Sequence, residues 1–253
     1  MNPHSAKTKF IKLGVLIMAA VTLAGMAGCS QRVPDVSGQV EQKLEAKYHE
    51  KFSVSKVYGG SLVPTNVFAD TYKLICYPEN NPNLKFKAEL SPNGVFYDAY
   101  CSANVNAKVE KLVGNVLKKK FPDVIIKSVA VGPYLDSANK DMSIEDFFKE
   151  QKSGFTLYIT IKTDKSSAHD IYRSIQTFVK ILPSFHGCVY CYCANQQDYD
   201  SCKKLFNDSI EINSNEIEEI MKYPNESGGV FTNKSLSFTV EEFAKGFEAK
   251  GEN

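Results

Sequence analysis

The densest chemistry in the chain is the run His186-Gly187-Cys188-Val189-Tyr190-Cys191-Tyr192-Cys193, followed by Cys202. Three uses suit these residue types and spacings. Disulfides such as Cys188 or Cys193 to Cys202 would pin the run to the loop behind it. A metal could take Cys188-x-x-Cys191 and Cys193 as soft tetrahedral donors, with His186 or Cys202 as the fourth ligand. Thiol redox chemistry could use Cys188-x-x-Cys191 directly. Strand alternation weighs against the metal, because Cys191 and Cys193 share a face while Cys188 points the other way. The redox use lacks its usual setting, a Cys-x-x-Cys opening a helix that lowers the thiolate pKa. Structural disulfides are therefore the expected use, with unpaired buried thiols next and the metal and redox uses behind both.

Cys76 and Cys101 complete an even set of six. If strands over 71–77, 84–90 and 95–101 form a meander in order, these two cysteines lie at one end but across the middle strand. Two strand spacings are about 9.5 Å, beyond the roughly 7 Å Cα limit for a disulfide. They can bridge only if the strand order differs or the strand ends curl together.

Other candidate chemistry is thin. No H-E-x-x-H, G-x-S-x-G, Walker or G-x-G-x-x-G pattern occurs, so neither a catalytic residue nor a cofactor is assigned. His49 falls on the outer flank of a helix, and His169 and Asp170 lie in a first helical turn, where an acid suits the dipole. Asp198 and Asp200 suit a solvated turn as well as they suit a cation. The tyrosines at 72, 77, 97, 100, 190 and 192 suit the cover of a sheet.

The elements that must position these residues follow from periodicity. Val40, Leu44, Tyr48 and Phe52 recur every four residues and predict an amphipathic helix capped by Ser37 and ending near Phe52. Tyr72–Tyr77 reads as a strand. Leu84 to Leu90 alternates with charge, and Ser91-Pro92-Asn93-Gly94 turns the chain into a strand over 95–100. Asn104–Phe121 is a helix closed by Pro122. Farther on, Val124–Val131 reads as a strand, Ser143–Gln151 as a helix with a Ser143-x-x-Asp146 cap, Phe155–Ile161 as a strand and Ser166–Leu182 as a helix. Gly187–Ala194 is a strand, and helices fall near 215–221 and 240–249. The fold class expected is α+β. An N-terminal helix, three-stranded antiparallel meander and helix (37–132) would be followed by a mixed α/β half (133–253) carrying the cysteine run.

The N-terminus reads as a secretory signal over residues 1–28. Lys7, Lys9 and Lys12 form a basic region without acids, Ile11–Leu23 forms an apolar region, and small residues precede Cys29. Met26-Ala27-Gly28-Cys29 resembles the lipobox of bacterial lipoproteins, with Met26 where that family more often has Leu. The resemblance implies that a diacylglycerol is attached to Cys29, which becomes the first mature residue. Residues 29–36 would then be a tether, its seven residues beyond Cys29 reaching at most about 25 Å. The helix–meander–helix pattern over 37–132 is similar to extracytoplasmic modules of Gram-positive lipoproteins, which implies a binding or scaffold role. Removing residues 1–28 takes three lysines and no acid, leaving 27 basic against 29 acidic residues. Such a body has no basic footprint for nucleic acid. The expected protein is a lipid-anchored, extracytoplasmic binding, immunity or envelope-accessory protein. Its partners would be the membrane, through the lipid, and an envelope or surface protein. An envelope thiol–disulfide oxidoreductase or metal-binding protein is the alternative.

Overall fold

Val36, Val40, Leu44 and Tyr48 form one buried stripe, and they make helix α1 (Val36–Tyr48) the lid of the first sheet. The computed structural model describes residues 35–59, 71–130, 139–151, 154–163, 167–183, 186–221, 225–232 and 234–248. The expected signal and tether therefore lie outside the described residues, Asp35 and Val36 apart. Helix α1 stops short of the expected end near Phe52, which instead opens a strand, because His49 adopts a left-handed φ of 56° and its N–H donates to the Glu45 carbonyl at 2.8 Å.

The first sheet is antiparallel in the order β1 (Phe52–Gly59), β2 (Tyr72–Pro78), β3 (Phe86–Leu90), β4 (Phe96–Asp98). The expected meander is present as β2–β4, and β1 is an added edge strand that pattern reading misses. A register shift between Val54 and Lys56 breaks its alternation. Phe86, Ala88 and Leu90 point into the core, as their spacing requires. The turn before β4 uses Gly94 at φ 84°, with its N–H on the Ser91 carbonyl at 2.9 Å.

Strand β4 ends at Asp98, and helix α2 (Tyr100–Leu117) starts four residues earlier than its apolar spacing suggests. Asp98 is the reason. It is 2% exposed, takes Lys47 Nζ at 2.9 Å and the Tyr48 hydroxyl at 2.7 Å, and accepts the Tyr100 N–H at 3.0 Å. That last bond turns the chain out of the sheet and into the helix. Cys101 consequently lies on a helix, not at a strand end.

The second sheet is mixed, in the order β5 (Val124–Ala130), β6 (Phe155–Lys162), β7 (His186–Ala194), β8 (Asn225–Thr232), β9 (Ser235–Leu236). Only β6 and β7 are parallel, joined by the crossover helix α4 (Ala168–Ile181). Helix α3 (Ile144–Gln151) precedes β6. Its cap is as expected: the Asp146 N–H donates to Ser143 Oγ at 3.0 Å and the Ser143 hydroxyl to Asp146 Oδ2 at 2.7 Å. Helices α5 (Gln196–Asp208) and α6 (Ser214–Met221) follow β7, and α7 (Val240–Glu248) follows β9.

Helices cover both faces of this sheet. On one, Val105, Val109, Val113 and Leu117 of α2 and Ile171, Ile175 and Phe178 of α4 meet Leu157, Ile159, Ile161 and Cys191. On the other, Tyr199, Cys202 and Phe206 of α5 and Ile217 of α6 meet Tyr158 and Tyr192. Residues 36–253 form one compact unit of the α+β class. The divide expected between 132 and 142 falls largely on residues outside those described. The two cores meet at the first turn of α2, with Tyr100 in one and Cys101 in the other.

Candidate functional site

The fold distributes the cysteines rather than gathering them. Along β7, Val189, Cys191 and Cys193 face the core under α2 and α4, while Tyr192 and Ala194 face α5. Cys202 of α5 is therefore across the sheet from Cys191 and Cys193. It packs beside Thr160, whose neighbour on β7 is Tyr192. Cys188 is half-buried and sits four residues, about 13 Å, back along the strand from that level. His186 is exposed at the strand start. No single tetrahedral sphere or disulfide brings Cys193 or Cys188 to Cys202 in this arrangement. Cys76 lies in the first core and Cys101 in the second, each fully buried, with the Cys101 Sγ on the Asn139 carbonyl at 3.4 Å. The described residues contain no disulfide and no cluster of three metal-ligating side chains.

Burial governs the thiol chemistry. Loss of hydration pushes Cys76 up to about 12, with Asp98 adding to the effect, and holds Cys101 and Cys202 at about 11. Cys191, wholly buried, is raised well above its ordinary value. Such thiols stay protonated at neutral pH and attack slowly. The other candidates have structural partners. Asp170 pairs with Lys120 at 2.6 Å, and the Asp198 N–H donates to Asn195 Oδ1 at 2.9 Å as part of the α5 cap. The Asp200 carboxylate takes Gln196 Nε2 at 2.8 Å.

What the fold does gather is a polar cleft along β5. Ser102, Asn106 and Glu110 stand at four-residue intervals on α2, next to its apolar stripe. They face Lys127 and Ser128 of β5, with Asn83–Phe86 as the opposite wall and Ile210 and Glu211, after α5, closing one side. The cleft comprises two adjoining volumes of about 830 and 120 Å³ that together follow β5 from Val124 to Ala130. Glu110 Oε1 accepts the Ser128 N–H at 2.8 Å, the Ser128 hydroxyl meets Asn106 Oδ1 at 3.1 Å, and Lys127 Nζ donates to the Phe206 carbonyl at 3.2 Å. Burial raises Glu110 above the ordinary carboxylate value, partly offset by the Ser128 N–H and the Lys127 charge. Burial likewise lowers Lys127, partly offset by Glu110. Ser102 is 7% exposed, and among the described residues its hydroxyl has no hydrogen-bond partner. A buried hydroxyl left unpaired costs about 1–3 kcal/mol, and this one lines a cleft. The arrangement provides donors and acceptors for a polar ligand.

Pattern reading passes over this site. Ser102, Asn106 and Glu110 share a helical face, but polar residues at that spacing ordinarily mark a solvated one. Only the arrival of β5 and the 83–86 segment encloses them.

Among solved structures, a DUF5037 family protein from Ruminococcus gnavus has a similar fold, with a TM-score of 0.65 and 16% sequence identity over 85% of this chain and 100% of that one. No family model and no curated protein matches the chain. At that identity the likeness is one of fold: the same α+β arrangement is built from a different sequence.

Proposed function

We propose that this chain is a lipid-anchored extracytoplasmic protein that acts by binding a protein or envelope component close to the membrane, in the manner of an immunity or surface-accessory lipoprotein. The observation that carries the reading is the basic region, apolar run and Gly28-Cys29 pattern in succession. Two acyl chains, at about 0.8 kcal/mol per buried methylene, anchor stably where one is marginal. Helix α1 begins at Val36, so the covalent reach from Cys29 stays within about 25 Å. Binding suits the polar cleft beside β5, whereas thiol chemistry finds buried, dispersed and mostly high-pKa cysteines.

The test is metabolic labelling with an alkyne fatty acid in a bacterial host, followed by membrane fractionation. The native chain is expected to take the label and sediment with membranes. Cys29→Ala is expected to lose both properties. Label retained by Cys29→Ala, or absent from the native chain, overturns the reading.

A further inference from the structure

Among the described residues, the outward edge of β5 is a row of backbone groups bonded at Ser128 alone. The Lys162 N–H donates to the Asp123 carbonyl at 3.0 Å, which fixes odd-numbered positions of this stretch as those bonded to β6. The N–H and C=O of Val124, Ile126, Ser128 and Ala130 therefore point away from β6, at the sheet edge. The Ser128 N–H agrees, since it reaches Glu110 on α2. A carboxylate thus stands where a neighbouring strand's carbonyl would stand, but at one position alone. Among the described residues nothing in the protein hydrogen-bonds the outward groups of Val124, Ile126 or Ala130. Natural sheet edges are usually covered or blunted. This one opens into the cleft over its whole length.

We propose that the cleft takes an extended, acidic polypeptide segment of a partner protein, which adds to the second sheet as a strand beside β5. Strand addition uses main-chain bonds for affinity and side-chain contacts for selectivity. The edge offers acceptors as well as donors in alternation, and a peptide backbone answers both at the spacing of a strand, whereas the phosphodiester oxygens of a polyanion only accept. The charge of the walls selects the acidic segment. Lys111 and Lys118 stand on the α2 side, Lys203 on the α5 side and Lys85 opposite, with Lys127 in the floor, against Glu110, Asp208 and, in the smaller volume, Glu211, which Lys87 pairs. The Ser102 hydroxyl, buried at the Ala130 end, gains a partner. The inference rests on the chain being a binding protein and is indifferent to whether Cys29 carries lipid.

The test uses the full chain in detergent and a fluorescein-labelled decapeptide alternating Glu and Thr, with a Lys/Thr decapeptide and polyglycerol phosphate as rivals. The acidic peptide is expected to bind at least about tenfold tighter than the basic one, about 1.4 kcal/mol. It should also slow amide exchange at Val124, Ile126 and Ala130. Lys111→Glu with Lys203→Glu, both exposed, should weaken it about tenfold or more. Ile126→Pro removes one outward donor and spares the β6 ladder; a folded variant, judged by circular dichroism, should lose binding. Equal binding of both peptides, polyglycerol phosphate binding in place of the acidic peptide, or binding without protection of β5 overturns the inference. None of these results bears on the fatty-acid labelling of Cys29.

Discussion

The two sheets differ in how many faces they hide. Among the described residues the first has α1 on one face only, and its strands alternate: Phe86, Ala88 and Leu90 are buried, while Lys87 and Glu89 are half-exposed. The second is covered on both faces, and five of the six residues from Leu157 to Lys162 are buried without alternation. A one-sided sheet writes its orientation into a period of two, whereas a two-sided sheet erases it. The second sheet therefore buries its chemistry: Cys191, Cys193 and Cys202 are inside, and Cys188, where β7 begins, is half-exposed.

Thiol accessibility breaks or sharpens this contrast most strongly. Iodoacetamide labelling of the native full chain, mapped by mass spectrometry, is expected to modify Cys188 first among the six cysteines that follow Cys29. Cys76, Cys101, Cys191, Cys193 and Cys202 should lag by a factor on the order of a thousand or more, because each needs opening of a core. Comparable labelling of all six, or none at Cys188, contradicts the contrast.

Core substitutions come next. Phe178→Ala empties a fully buried site between α4 and the second sheet and should cost about 3–5 kcal/mol in urea unfolding. Val57→Ala, on a first-sheet edge where Val57 is 42% exposed, should change stability by less than about 0.5 kcal/mol. Equal costs would show that the two-sided sheet gains nothing from its second layer of helices.

A smaller loss than that of Phe178→Ala concerns Glu50, beside the first core. Burial pushes its carboxyl up, but the Tyr100 hydroxyl at 2.7 Å and Lys140 at 3.1 Å outweigh that and hold it below 4.5. A lowered carboxylate stabilises the fold fully above its unfolded value and loses that contribution as pH falls through the folded one. Glu50→Gln should therefore cost about 1 kcal/mol at pH 7, with the difference from the native chain shrinking as the solution is acidified. A pH-independent difference would assign Glu50 a packing role only.

The same contrast explains how much was legible. The β3 alternation, the stripe of α1, the Ser143 cap and the α4 stripe closed by Pro183 all state local physics that the fold keeps. Strand β1 was hidden by its bulge. Strand β8 was hidden by Gly228 and Gly229, which admit close neighbours: a Cβ on Gly228 would stand 2.2 Å from the Val189 carbonyl oxygen. Helix α5 did carry a signal, Asn195-x-x-Asp198 before Tyr199, Cys202 and Phe206, which the neighbouring cysteines drew attention away from. The cleft was illegible for another reason: its walls come from segments far apart in sequence, and no single period spans them.

The parallel pairing of β6 and β7 also bears on the order of folding. The two strands can pair only across the long crossover that carries α4, which makes their contact non-local, and β7 keeps one bare edge until residues 225–232 pair with its other side. From Gly187 to Ala194 that edge carries no charge and no proline, so nothing in β7 blunts it. A chain stopped after α5 would expose that ladder as a template for another strand, and it is the glycine-bearing strand β8 that covers it.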